Sequence, residues 1–100
     1  MTNDIKPLPY YKLTKAPQIK GYIHPTRIVI LKKLAEKKRT ISGIARELEV
    51  HPANITHHFK LLEKTGLIKL VEKRDIGKTI EKYYRAIAYS YIVKAGDKKK

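Results

Sequence analysis

Residues 40–68 carry apolar positions at helical spacing twice, on either side of a short break. The first set is Ile41, Ile44, Ala45 and Leu48, offset by 3, 4 and 7, which lines one helical face. The second is Ile55, Phe59 and Leu62, with Leu61 widening the stripe. Only Glu49, Val50 and His51 lie between them, followed by Pro52. Proline costs little at the first position of a helix, where its missing N–H would have had no partner. Ala45 is small enough for a second helix to cross close by, and Gly66 supplies a residue suited to a left-handed C-cap. The pattern predicts a helix-turn-helix, a unit whose second helix generally enters the major groove of DNA.

The flanking stretches predict the rest of the architecture. A helix is expected from His24–Pro25 to about Lys37, with Ile28, Leu31 and Ala35 in one stripe and Val29, Ile30 and Leu34 broadening it. So wide an apolar surface points to burial on two sides, and hence to a partner subunit. After Gly66 the composition becomes strand-like: residues 67–72 and 79–85 flank a polar loop, Lys73–Lys78. Two strands around a basic loop form a β-hairpin, and a hairpin placed after a helix-turn-helix is a wing. A last helix is expected from Ala86 to about Lys94. Pro7, Pro9, Pro17 and Gly21 make residues 1–23 an extended arm, with Tyr10, Tyr11 and Tyr22 set between lysines to pack on the body or a second subunit, or to lie along a phosphate backbone. The expected organisation is therefore the arm over 1–23, a winged helix-turn-helix over 24–95 and a basic tail over 96–100. The fold class is mainly α with a small β-hairpin, in a single domain.

Charge sharpens this picture. Lys and Arg number 23 and Asp and Glu 9, giving +14 over 100 residues. The excess is spread: 4 basic against 1 acidic in 1–23, 9 against 4 in 24–66, and 10 against 4 in 67–100. Such a balance suits a polyanion, because each neutralised phosphate releases a condensed counterion. There is no cysteine, so disulfides and thiolate metal sites are excluded within the chain. No apolar run approaches the roughly 18 residues that cross a bilayer, and no secretory signal is apparent, so the expected setting is cytoplasmic. Nothing resembles a catalytic constellation or a Gly-rich phosphate loop, so no enzyme activity and no cofactor are expected.

The motifs resemble those of the ArsR-type winged helix-turn-helix transcriptional regulators. His24-Pro25-Thr26-Arg27, followed by Ile28 and Ile30-Leu31, is similar to the family's opening helix motif. Ile55-Thr56-His57-His58-Phe59-Lys60 resembles its recognition-helix signature, Glu63-Lys64-Thr65-Gly66-Leu67-Ile68 its helix exit, and Tyr83-Tyr84-Arg85 its aromatic wing end. The resemblance covers about residues 24–95 and implies a dimeric, DNA-binding regulator of repressor type. The thiol ligands of the metal-sensing members are missing, and Glu49 stands where related turns often carry Gly, so a differently closed turn is expected. No separate effector domain is expected.

The candidate contacts follow from the faces. In the second motif helix, Ala53, Asn54, Thr56, His57 and Lys60 lie opposite the apolar stripe and are the candidates for base contacts; Asn54 suits adenine, and Thr56 a hydroxyl bond or a thymine methyl. Thr40 and Ser42 at the start of the first motif helix, with Lys64, are candidates for phosphate. Arg27 suits a phosphate or an internal carboxylate. Lys73, Arg74 and Lys78 are the wing candidates. Val29, Ile30, Leu34, Tyr91 and Ile92 are expected to be shared between the core and a two-fold interface. His51, His57 and His58 are not expected to bind metal, since adjacent helical histidines point about 100° apart. The expected partners are double-stranded DNA and a second copy of the chain. Rival readings are a sequence-independent nucleic-acid coat and a protein-interaction winged helix in a transcription assembly.

Overall fold

In the computed structural model, which describes residues 3–94, the chain runs β1 (Tyr11–Leu13), α1 (Ala16–Tyr22), α2 (Pro25–Glu36), α3 (Ile41–Leu48), a 3-10 turn (Pro52–Asn54), α4 (Thr56–Lys64), β2 (Ile68–Asp75), β3 (Ile80–Ala86) and β4 (Tyr91–Val93). The helix-turn-helix and the wing are both present. Ile44, Ala45, Ile55, Phe59 and Leu62 are buried, so the two apolar stripes meet in one core with Ile30, Leu31, Leu34 and Ala35 of α2. The wing strands pair antiparallel, Ile68 opposite Ala86 and Asp75 opposite Ile80, with an irregularity between Leu70 and Glu72. Arg39 adds a single bridge to Tyr84 on the outer side of β3. The Tyr84 ring meets Phe59 edge-on, centroids 5.4 Å apart, which joins the sheet to α4.

Both motif helices end in the same way. Val50 N–H bonds the Ala45 carbonyl at 3.0 Å and Leu67 N–H bonds the Leu62 carbonyl at 2.9 Å, each spanning a left-handed residue. After α4 that residue is Gly66 (φ 80°), but after α3 it is Glu49 (φ 59°). The expectation of a differently closed turn is corrected here: the helix exit is the ordinary one, made by a residue whose Cβ opposes it. Glu49→Gly should therefore stabilise the fold by about 0.5–1 kcal/mol. Gly66→Ala should destabilise it by about 1 kcal/mol. A Cβ at Gly66 would meet nothing within 4 Å, so that cost is purely backbone. Urea denaturation of the two variants reads both signs.

Three expectations fail, and one cause underlies them: the terminal segments fold onto the body. The stretch 1–23 is not extended throughout, because Pro17 falls in the first turn of α1, where proline is tolerated. Leu13 is fully buried, and Ile19 and Tyr22 pack against the core. That segment covers the second side of α2, so Ile30 and Leu34, both fully buried, belong to the chain's own core and not to a subunit interface. The expected last helix is instead β4, which pairs in parallel with β1, Tyr11 opposite Tyr91 and Leu13 opposite Val93. Its run of aromatic and β-branched residues favours a pleated strand, and Ala86 and Ala88 alternate inward ahead of it. Arg85 clamps the assembly, bonding the Ala35 carbonyl at 2.7 Å and the Asp4 carboxylate at 3.0 Å. Residues 95–100, including the basic tail, lie outside the described residues.

Candidate nucleic-acid interface

The exposed side of α4 is set by what the other side buries. His58, Phe59 and Leu62 face inward, so His57, Lys60 and Lys64, at offsets of 3 and 4, form one exposed stripe. Ala53 and Asn54 are exposed too, but they sit in the 3-10 turn that leads into α4, not on the helix. His51 organises that turn: its Nδ1 accepts the Ala53 N–H at 3.1 Å and its carbonyl accepts the Asn54 N–H at 2.9 Å. Thr56 is half-buried, and its hydroxyl donates to the Pro52 carbonyl at 2.9 Å. It thus holds the entry to α4 as well as standing at its edge.

The start of α3 is fixed by Thr40, whose Oγ1 accepts the Gly43 N–H at 2.9 Å. Ser42 is exposed beside it, and Arg46 lies four residues on along the same face. Across from this face stand Ile76, Thr79, Ile80 and Lys82 of the wing, enclosing an open groove of about 470 Å³. Arg46 and Lys82 were missed in the sequence. Arg46 was legible from its spacing to Ser42; Lys82 emerges only from the hairpin register, which sets it opposite Lys73.

Not every basic candidate is available. Arg27 donates from Nε to the Gly21 carbonyl and from a terminal nitrogen to the Lys20 carbonyl at 3.3 Å, closing the end of α1. Its other terminal nitrogen lies 3.0 Å from His58 Nδ1. It pairs with no carboxylate among the described residues, and its guanidinium hydrogen-bonds the body of the fold. Arg74 is tied to Glu72 at 2.9 Å and lies 4.7 Å over the Tyr83 ring. Lys38 and Arg74 together hold the pKa of the Glu72 carboxyl down at about 2. Lys33 and Arg39 do the same for Glu47, also at about 2, so neither acid offers an unbalanced charge to a nearby phosphate. Lys73 and Lys78 stand exposed on the wing.

His58 is buried against the rings of His57, 3.9 Å away, and His24, 4.7 Å away. Because Arg27 can only donate, His58 Nδ1 accepts and the neutral ring carries its proton on Nε2. Burial, then the charges of His57, His24 and Arg27, lower its pKa from the usual 6.5 to about 4. The folded state therefore resists a proton that the unfolded chain accepts. Stability from this group is complete above pH 6.5 and is lost as pH falls towards 4, on the order of 2–3 kcal/mol. The paired carboxylates titrate lower, between 4.5 and about 2. Thermal melts across the upper window should show this loss, and His58→Gln should flatten it.

Comparison with known proteins places these elements in context. Residues 24–69 match the bacterial regulatory protein arsR family. Over 60 residues the chain is 40% identical to an uncharacterized HTH-type transcriptional regulator of Methanocaldococcus jannaschii, covering 58% of this chain and 67% of that one. Among solved structures it is similar to the homodimeric winged helix-turn-helix DNA-binding domain of a possible ArsR-family regulator from Mycobacterium bovis (TM-score 0.59, 26% identity, 73% of this chain and 63% of that chain). It is also similar to an ArsR-like transcriptional regulator from Rhodococcus sp. RHA1 (TM-score 0.56, 30% identity, 71% and 61%). The chain thus spans less than two thirds of the length of those two structures. Among the described residues no helix is long and apolar enough to cross a membrane.

Proposed function

Because the chain belongs to the ArsR family of winged helix-turn-helix transcriptional regulators, we propose that it binds double-stranded DNA at a specific sequence, as a homodimer, and represses transcription by occupying that site. The family is one of transcriptional regulators and not an enzyme class. The observation that carries the reading is the exposed row Asn54, His57, Lys60 and Lys64, placed beside a groove whose rims bear Ser42, Arg46 and Lys82. A duplex that receives the row in its major groove brings a sugar-phosphate strand across the groove between α3 and the wing. Repression needs only occupancy, whereas activation requires a further contact with the transcription machinery.

The dimer surface we propose differs from the expected one. Ile30 and Leu34 are internal, and the half-buried Tyr91 packs against the core, its ring 5.1 Å from that of Tyr22. Val29 and Ile92 remain exposed, at 38% and 43%. Ile92 lies opposite Lys12 on the strip where β1 and β4 pair, and Leu8 (50%) and Tyr10 (55%) continue that strip. A second copy seated there would cover all three apolar groups.

The +14 charge favours a rival in which the chain coats nucleic acid without reading it. Selecting a duplex from a random pool and then competing it with random duplex separates the two, because only a sequence reader retains the selected duplex. Binding should also depend steeply on salt. If the dimer neutralises on the order of 8 phosphates, log K should fall against log salt with a slope of about −7. Converting Lys73, Lys78 and Lys82 to Ala should flatten that slope and leave the sequence preference intact.

A further inference from the structure

The wing ends in an arrangement that folding does not explain. Ile76 and Ile80 are 54% and 53% exposed, although they flank the apex of the hairpin and are among its largest apolar groups. The apex itself is slim: Gly77, at φ 99°, carries no side chain, and the Ile76 N–H bonds the Thr79 carbonyl at 3.1 Å to close the turn. Both isoleucines line the groove that faces α3, on the same side as Arg46 and Lys82. Of the acids near the tip, Glu81 also lines this groove. Asp75 accepts the Gly77 N–H at 2.9 Å, and Glu81 accepts the Tyr83 hydroxyl at 3.1 Å.

Apolar tips ringed by Lys73, Lys78, Lys82 and Arg46 are poorly matched to a second copy, which would bring like charges together. They are well matched to a polyanion with an apolar interior. Resting on the DNA reading above, we propose that the wing is a wedge: Ile76 and Ile80 enter the minor groove of the bound duplex, part a base step and bend the DNA, while the surrounding cations hold the phosphates on either side. The dimensions support this. Hairpin strands lie about 4.8 Å apart before side chains are added. The minor groove is about 6 Å wide. The Gly77 apex can enter, but the isoleucines behind it cannot follow unless the groove opens. Inserted apolar side chains at such openings bend a duplex by roughly 20–90° towards the major groove.

The test uses the full chain and a short duplex, selected by the protein and dye-labelled at both ends, with energy transfer measured at saturation. Bound wild-type protein should bring the ends together by a bend in that range. Ile76→Thr with Ile80→Thr, which keeps the β-branched shape at two already exposed positions, should bind with less than about a tenfold loss and leave the duplex nearly straight. Lys73→Ala with Lys78→Ala should weaken binding but keep the bend once saturated. A straight duplex under wild-type protein, or an equal bend under the isoleucine variant, overturns the wedge while leaving DNA binding in place. Failure to bind any duplex overturns both readings. Dissociation of a dimer by the isoleucine variant without DNA assigns the tips to a second copy, and also overturns the wedge.

Discussion

Replacing Ile92 by Glu should convert dimers to monomers and lower affinity for a selected duplex by roughly 100-fold or more. Ile92 is 43% exposed in β4 and makes no contribution to the buried core, so the single chain should fold normally. In the dimer the same substitution sets a carboxylate against an apolar surface, at a cost that an interface of a few apolar residues does not absorb. The affinity loss is large because the second half-site is no longer linked to the first. Sedimentation at tens of micromolar reads the association state, and anisotropy with the selected duplex reads the affinity. Tyr91→Glu is not an equivalent test. The pKa of its hydroxyl is raised to about 12 by burial and its ring packs on Tyr22, so a charge there would unfold the chain before it dissociated anything.

The second large effect separates reading from holding. Asn54→Ala removes an exposed group, so folding should change by less than about 0.5 kcal/mol, whereas His57→Ala also removes a ring packed 3.9 Å from that of His58 and should cost somewhat more. Affinity for the selected duplex should fall by roughly 1–3 kcal/mol for each side chain that reads a base, with random duplex nearly unaffected. An equal fall for both duplexes would assign these side chains to phosphate. Thr56→Ala belongs to a different class. The Thr56 hydroxyl bonds the Pro52 carbonyl, so its removal should cost stability as well as affinity.

The parts of this molecule that could be read in its sequence are those where a local period and a local stop signal agree. Ile44 and Ala45, then Ile55, Phe59 and Leu62, with Gly66 behind them, specified the motif because helix faces and caps depend on neighbours three to six residues away. The wing was legible for the same reason, from strand composition around Asp75 and Gly77. The terminal segments were not. Ile87, Tyr91 and Ala95 have helical spacing, and nothing local says that Tyr91–Val93 will find Tyr11–Leu13 about eighty residues away and pair as strands. Missing that pairing made α2 look over-supplied with apolar surface and assigned Ile30 and Leu34 to a partner. Arg27 is a similar case: its basic charge is visible in the sequence, but the Gly21 and Lys20 carbonyls it bonds are not. Groups whose role is set by tertiary neighbours, such as Arg46 and Lys82 around the groove, are the ones that composition and period pass over.

Sequence reading by α4 and its leading turn, within one short site, is tested most directly by hydroxyl-radical footprinting. The duplex should be long, contain the selected sequence and be held in excess random DNA. Two protected patches of equal depth are expected, centred about one helical turn (roughly 34 Å) apart, each flanked by protection from a wing. Protection that spreads evenly along the duplex and deepens only with protein concentration would contradict that reading.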